Sequence, residues 1–260
     1  MVHPRPNRHK AAAMLISTLE MAHAQDDLVA SLGDLDDDAM RTASRCDGWS
    51  RAHVLTHLAR NADGMVNLAE WAQTGEVVAM YESGDRRNAD IEEGAARSAT
   101  EIIEDVVASN DRVLAAFGAL EGRVAVDPAV AAFQVRLGGD PVTGPAVPVR
   151  DLPFLRLQEV VVHHHDLDHG LAARDWPRAY VDEALPRAAR RMASRVDGLP
   201  RLVAEDDDVV VMLTRGSGGG DAEVRGPAAS LLVWLLGRST EADRSTLVVS
   251  DGDLPMLPDW

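Results

Sequence analysis

The stretch LRLQEVVVHHHDLDHG, residues 155–170, constrains the fold more than any other part of the sequence. Its three consecutive valines, 160–162, favour a buried helix, yet the stretch also contains a glutamate, two aspartates and four histidines. Residues four apart share one face of a helix, so Glu159 and His163 point in the same direction. Because a buried charge needs a partner, we expect these side chains to meet a metal ion or groups from elsewhere in the chain.

A second stretch, GWSRAHVLTHLARNAD at residues 48–63, offers such groups. His53 and His57 lie one helical turn apart in it. Metal sites in bundle cores are built from inward side chains of facing helices, and imidazoles with one carboxylate suit a divalent metal such as zinc. Spacing alone leaves open which histidine of each helix binds the metal, since His165 and His169 form another pair four residues apart.

Four helical segments joined by one long connection predict a four-helix bundle. The connection, residues 121–150, is rich in Gly, Pro and Val and predicts a loop or a short hairpin. Apolar spacing and cap residues give the helices the approximate bounds Leu15 to Leu32, Ser50 to Gln73, Ser98 to Leu120 and Asp151 to Gly170.

The chain changes character after about Pro200. DDVVVMLTR and DAEVRG are typical of strands around a flexible RGSGGGD turn, Pro227 begins an apolar helix, and STLVVSDGD is typical of a last strand. We therefore predict a mainly α protein with a smaller α/β part. Residues 1–175 would form a four-helix bundle with the metal site, and 176–260 a connecting helix and a small α/β domain.

Composition excludes several classes of function. A net charge of −16 opposes nucleic-acid binding, which requires clustered positive charge. The sequence contains no apolar run long enough to cross a membrane, and its first ten residues, MVHPRPNRHK, lack the apolar stretch that we would expect of a signal peptide. One cysteine, Cys46, excludes an internal disulfide framework and a thiolate metal cluster. We expect a soluble cytoplasmic protein that binds small molecules, and a monomer, with an oligomer left open.

Several segments, in order along essentially the whole chain, resemble the mycothiol-dependent maleylpyruvate isomerase family. They are GWSRAHVLTHLARNAD, WAQTGE, MYESGDRRNADIEEGAARS, LRLQEVVVHHHDL and GPAASLLVWLLGRS. The resemblance implies a DinB-like bundle and a metal, usually zinc, bound by His57, Glu159 and His163. It implies catalytic arginines at Arg87, in the loop after the second helix, and at Arg238. Mycothiol, the implied thiol cofactor, is the small thiol of high-GC actinobacteria, whose codon usage fits a chain with one lysine among 26 basic residues.

The implied reaction converts maleylpyruvate to fumarylpyruvate, a step in the breakdown of the aromatic acid gentisate. A thiolate adds to the double bond, the resulting single bond rotates, and the thiolate leaves. The metal would stabilise the thiolate, and the arginines would hold the anionic substrate and the enolate. The charge of −16 opposes long-range attraction of an anion, which a local arginine cluster can outweigh within about 8 Å.

Two other functions stay open at this stage. A mycothiol S-transferase would use the same thiolate and keep the thiol in its product, whereas a non-enzymatic binding protein on this fold would need no metal. The intact residues His57, Glu159 and His163 argue against the binding protein.

Other polar residues near the two motifs are weaker candidates. We expect His53 to be structural or to lie behind the metal ligands, and Asp166 either to orient a ligand histidine or to cap its helix. Arg60 and Asn61 follow His57 by one turn and are expected to line the cleft. The sequence leaves open the roles of three further histidines: His164, His165 and His169.

Overall fold

Helices make up most of the chain in this computed structural model, which describes residues 9–206, 209–212 and 222–258. The predicted fold class is confirmed, because the protein is mainly α-helical with a smaller α/β part. The chain divides into two compact units, 1–170 and 171–260. Within the described part of the chain, none of the helices is long and apolar enough to span a membrane.

The first unit contains six α-helices, two short 3-10 helices (Pro128–Ala132 and Val149–Asp151) and one hairpin among its described residues. The α-helices and strands are α1 (His9–Ser31), α2 (Asp37–Arg41), α3 (Arg51–Thr74), α4 (Gly84–Ala95), α5 (Ala99–Val126), β1 (Gln134–Arg136), β2 (Ala146–Pro148) and α6 (Leu152–Asp166). The strands pair antiparallel, so the long connection contains the short hairpin that its composition allowed.

Local sequence explains where the central helix α3 begins and ends. Ser50 and His53 form a reciprocal capping box at its start, which satisfies backbone N–H groups that have no partner inside the helix. Gly75 ends it with a φ of 77°, a left-handed conformation that glycine adopts without strain. The predicted helix from Ser50 to Gln73 is therefore confirmed almost to the residue.

The four long helices of this unit pack around one core. α3 contacts α5 and α6, and α1 contacts the same two helices. Their inward faces supply fully buried aliphatic and aromatic side chains, among them Leu28, Leu55, Leu58, Val106, Phe117 and Val160. A layer of buried polar groups interrupts this core between α3 and α6, and the candidate site lies there.

Arg87 lies on a helix, α4, and not in the predicted loop. Sequence reasoning missed α4 because GDRRNADIEEGA is mostly polar and shows no apolar stripe. The helix forms because the Ser83 hydroxyl accepts a hydrogen bond from the Arg86 backbone N–H, at 3.0 Å, and Ile91 anchors its inner face. The helix holds Arg87 in a defined position.

Three other predicted helix bounds of the first unit are wrong. α1 begins at His9 and not at Leu15, and α5 ends at Val126 and not at Leu120. α6 ends at Asp166, four residues before the predicted Gly170, because Asp168 turns the backbone to a φ of 52°.

The second unit is a four-stranded sheet with helices. Its elements are α7 (Arg178–Ala193), β3 (Arg201–Asp206), β4 (Val209–Met212), β5 (Glu223–Gly226), α8 (Ala228–Leu235), α9 (Glu241–Ser245) and β6 (Val248–Val249). The strand order is β4-β3-β5-β6, with β3 and β5 parallel and the other pairs antiparallel. Helix α8 packs against α7, β3 and β5.

Sequence reasoning missed two elements of this unit. The strand β3, RLVAED, was missed because its ends are charged. Its residues were assigned to the connection that precedes the strand predicted over DDVVVMLTR. α9 has five residues, too few to show a helical period. The predicted RGSGGGD turn, residues 215–221, lies outside the described residues.

Candidate metal centre

Three side chains that could bind a metal converge between α3 and α6. His57 Nε2 lies 3.0 Å from Glu159 Oε2 and 3.1 Å from His163 Nε2. Glu159 Oε2 and His163 Nε2 are 3.6 Å apart. The structure thus brings together the three residues that the family resemblance implies as ligands, and that they hold a metal stays a prediction.

The three donors differ in their access to solvent. His57 points into the helical unit and is 4% exposed. On α6, the side chains of Glu159 and His163 are 30% and 14% exposed. The cluster therefore has a closed side at α3 and a side at α6 that a small molecule can reach.

The donor set fits a divalent metal. Asp166 Oδ2 lies 3.0 Å from His163 Nδ1, and a buried carboxylate accepts hydrogen bonds, so the ring proton of His163 belongs on Nδ1. The lone pair of Nε2 then faces the cluster, as ligation requires. A carboxylate behind a ligand histidine is the usual support for metal-bound imidazole. Two imidazoles and one carboxylate, with room for a further ligand, suit zinc.

The protonation states of the cluster also favour a cation. Burial lowers the pKa of His57, although its hydrogen bond to Glu159 opposes this. Burial alone would raise the pKa of Glu159, but the hydrogen bond and charge of His57, together with His163, hold that pKa well below its usual value. The site therefore offers a neutral imidazole and an ionised carboxylate at neutral pH, the forms that bind metals.

Arg87 touches the cluster directly from α4. Its Nη2 donates to His57 Nδ1 at 2.9 Å, because a guanidinium can only donate. The ring proton of a neutral His57 then belongs on Nε2, which faces Glu159. A metal at Nε2 would take the place of that proton, and Arg87 would supply a positive charge directly behind the ligand.

Sequence reasoning missed Arg156, which lies fully buried behind the donors. It donates to Leu58 O and Asn61 Oδ1, both at 2.9 Å, and to Asn110 Oδ1 at 3.0 Å. Burial lowers the pKa of Arg156 to about 10, so it remains charged at neutral pH and helps to keep Glu159 ionised. The sequence feature that could have identified Arg156 is its position inside the apolar run PFLRL.

Tyr81 was also missed. The guanidinium carbon of Arg87 lies 5.7 Å from the centre of the Tyr81 ring. Burial and the charge of Glu159 raise the pKa of Tyr81, although Arg87 and Asn61 act to lower the pKa of the phenol. The phenol therefore keeps its proton at neutral pH and can donate a hydrogen bond close to the donors. Its place in MYESGD, directly before α4, carried no periodic signal.

The weaker candidates near His57 have separate partners. His53 Nδ1 belongs to the capping box, and its Nε2 lies 3.3 Å from Glu92, so His53 points away from the donors. Arg60 pairs with Asp105 at 2.7 Å and lines a neighbouring cavity. Asn61 is buried and accepts from Arg156, so it supports the site from inside the core.

Cys46, in the segment before α3, contacts Asp166, the carboxylate that lies behind His163. Its Sγ lies 3.3 Å from Asp166 Oδ2, the atom that also accepts from His163. Cys46, His163 and Asp166 form a second group whose potential ligand atoms lie within 4.8 Å of one another. A thiol beside a carboxylate is disfavoured as a thiolate, which argues against Cys46 as a nucleophile.

The other histidines of α6 and its following turn lie outside the cluster. His164 is buried, and burial lowers its pKa to about 4, so it is uncharged at neutral pH. Arg45 lies within 2.6 Å of His165 Nε2, and His169 Nε2 lies 3.1 Å from Asp34. The pair of His165 and His169 therefore forms no metal site with a common centre.

Arg238 belongs to the second unit. It follows α8, is half-buried, and its backbone N–H donates to Val233 O at 2.9 Å, which closes the end of the helix. Its catalytic role stays a prediction.

Comparisons with known proteins agree with these motifs. Residues 21–168 match the family model of the mycothiol maleylpyruvate isomerase N-terminal domain, and residues 175–259 match the model of the corresponding C-terminal domain. The fold resembles two solved structures of the mycothiol-dependent maleylpyruvate isomerase, one of them a histidine-to-alanine mutant. Each has a TM-score of 0.75 and 22% identity over 98% of both chains. No curated protein matches the sequence.

Proposed function

The chain belongs to the mycothiol maleylpyruvate isomerase family, and from this premise we propose that it is a metal- and thiol-dependent cis–trans isomerase. Its substrate would be maleylpyruvate or a similar unsaturated dicarboxylate, and its thiol mycothiol. The convergence of His57, Glu159 and His163 within 3.6 Å carries this proposal. A metal held by these residues would suit chemistry on a small thiol. We expect the protein to act in the cytoplasm.

The protein would supply the ligands and their support. His57, Glu159 and His163 would hold a divalent metal, with zinc the best fit to the donor set. When bound, this metal supplies the positive charge that keeps an added thiol deprotonated near neutral pH. Asp166 would hold the His163 ring in its ligating orientation through the contact at 3.0 Å.

Arg87 and Tyr81 would stabilise the negative charge that develops on the substrate. Thiolate addition forms a carbon–sulfur bond, turns the double bond into a single bond and moves an electron pair onto the conjugated carbonyl oxygen. The guanidinium of Arg87 and the protonated phenol of Tyr81 lie beside the donors and can both donate to that oxygen. After rotation, the electron pair returns and the thiolate leaves, so the thiol is regenerated.

Arg238 would provide a second cation for the dicarboxylate, which the resemblance to the family implies. An arginine fork binds a carboxylate through two parallel hydrogen bonds, which a lysine cannot reproduce.

An assay with maleylpyruvate and mycothiol tests the proposal. We expect the metal-loaded protein to form fumarylpyruvate only when mycothiol is present, while the amount of free thiol stays constant. Accumulation of a stable thiol adduct would instead identify a mycothiol S-transferase. Turnover at full rate without added thiol, or no reaction with any unsaturated dicarboxylate, would contradict the isomerase proposal.

A further inference from the structure

A cavity of about 260 Å³ lies between α3, α4 and the segment that joins them. It adjoins the donor cluster, because Arg87 forms part of its wall and also donates to His57 at 2.9 Å. Six charged side chains line the cavity: Arg60, Asp63, Glu82, Arg86, Arg87 and Asp90.

The wall of this cavity has no net formal charge, since its three arginines balance its three acidic residues. Most of them are paired: Arg86 lies 2.5 Å from Asp90, and Arg60 lies 3.2 Å from Asp63. Such a wall offers a dicarboxylate no excess of positive charge. It does offer N–H donors and carboxylate acceptors side by side, and hydroxyl groups can use both.

Glu82 adds an available acceptor at this wall. Among the residues that the structure describes, no hydrogen bond or ion pair to its carboxylate is found. A bound hydroxyl would therefore not have to displace an existing partner of Glu82. Charge-assisted hydrogen bonds of this kind are stronger than those between neutral groups.

The floor of the cavity is built into the fold. A Cβ atom at Gly64 would lie 2.9 Å from Met80 Cγ and 3.1 Å from Met80 O, so glycine lets the joining segment lie close to α3. Asn67 Nδ2 fixes that segment by donating to the carbonyl oxygens of Ala79 and Met80, at 3.3 and 3.2 Å. The cavity is therefore largely preformed, as small-molecule sites usually are.

The size of the cavity limits its occupant. At roughly 30 Å³ per water molecule, its volume corresponds to about nine waters. One sugar-sized ring fits such a space, and a larger ligand would extend into solvent.

We propose that this cavity binds an uncharged polyhydroxylated ring, the sugar or cyclitol part of the thiol. The inference rests on the proposed function, because mycothiol is a cysteine derivative of an amino sugar joined to inositol. With a ring in the cavity, the cysteine part would extend past Arg87 to the donors. The cavity would thus select this thiol over smaller ones, while the metal centre activates the sulfur.

Calorimetric titration of the metal-loaded protein with three probes tests the proposal. Mycothiol contains thiol and rings, N-acetylcysteine contains the thiol alone, and N-acetylglucosaminyl-inositol contains the rings alone. We expect mycothiol to bind at least tenfold more tightly than N-acetylcysteine, and the ring compound to bind without any thiol. Glu82→Ala and Asp90→Ala should each remove roughly tenfold or more of the preference for mycothiol, the loss expected for one charge-assisted hydrogen bond.

Glu76→Ala is the matched control, because Glu76 is an exposed acidic residue in the turn after α3 and does not line the cavity. Equal affinity of the wild-type protein for mycothiol and N-acetylcysteine, or ring binding that both cavity variants leave intact, would overturn the proposal. Binding of the ring compound without any binding of a thiol would support the cavity site and overturn the proposed function instead.

Discussion

The two units of this protein contain buried carboxylates with different partners. In the second unit, Glu223 is 4% exposed and pairs with Arg225 on its own strand, β5, and with Arg201 on the neighbouring strand, β3. Its charge is balanced by these two arginines. In the first unit, the Nε2 atoms of His57 and His163 and the Oε2 atom of Glu159 lie within 3.6 Å of one another.

This difference indicates which of the two buried clusters could bind a metal. A buried carboxylate between two arginines has its charge balanced by them. A carboxylate between two imidazoles lacks such a counterion, and the buried Arg156 directs its N–H groups to Leu58, Asn61 and Asn110. We therefore expect the cluster of the first unit to bind a cation from solution.

Replacing one carboxylate in each unit should separate the two cases most strongly. Glu159→Gln removes a ligand, and we expect it to weaken metal binding by more than the roughly 10- to 100-fold that losing a residue behind a ligand costs. Glu223→Gln should lower the free energy of unfolding by about 1 kcal/mol, because it removes the carboxylate partner of the half-exposed Arg201 while Arg225 keeps Glu205 at 2.7 Å, and it should leave metal content unchanged. Elemental analysis and chemical denaturation measure both effects. Equal metal content in the two variants would contradict the assignment of the site.

The arginines Arg87 and Arg238 test whether both units contribute to catalysis. Losing a charge-assisted contact to the substrate costs about 2–4 kcal/mol, so at saturating metal each alanine variant should lower kcat/KM roughly thirty- to a thousandfold. Metal content should stay unchanged in Arg238→Ala. Arg238→Lys should recover part of that loss. Steady-state kinetics decide the matter, and wild-type rates in Arg238→Ala would leave the second unit without a catalytic side chain.

His164 gives the first unit a pH-dependent stability. Burial lowers its pKa to about 4 in the folded protein, while the unfolded chain binds the proton near pH 6.5. Above pH 6.5, His164 is uncharged in both the folded and the unfolded state. As the pH falls from 6.5 towards 4, the unfolded chain binds the proton first, so the free energy of unfolding falls by about 3 kcal/mol. His164→Leu should remove this part of the pH dependence in denaturation experiments between pH 7 and 4. The same slope in wild type and variant would assign it to other groups.

Cys46→Ala should have the smallest effect. The thiol contacts Asp166, which disfavours its thiolate form, so the reaction should use the added thiol. We expect thiol-dependent turnover within about threefold of wild type, a change of under 1 kcal/mol. A folded but inactive Cys46→Ala protein would show that the nucleophile is internal.

Sequence patterns predicted the elements that carry local signals. α3 was predicted closely because a cap, an apolar stripe and a terminal glycine mark it. α4 was missed because a polar helix held by Ser83 and Ile91 has no such pattern, and Arg87 was therefore placed in a loop. In the second unit, β3 is defined by its pairing with β4 and β5, which the local sequence does not show.

The site could be predicted in part. Helical spacing identified the faces of Glu159, His163 and His57, but the choice of these three needed the resemblance to a family. Arg156 and Tyr81 were missed because their role depends on contacts across the core: Arg156 reaches α3 and α5, and Tyr81 reaches Arg87 and Asn61. Spacing along one helix carries no information about such contacts.

Anomalous X-ray scattering from crystals of protein purified without chelators tests the central claim most directly. Measured at the absorption edge of the metal, it should show one site per chain, with His57 Nε2, a Glu159 oxygen and His163 Nε2 at about 2.0–2.2 Å. A metal between Cys46 and Asp166, or full-length chains that bind no divalent metal when it is supplied, would contradict the account.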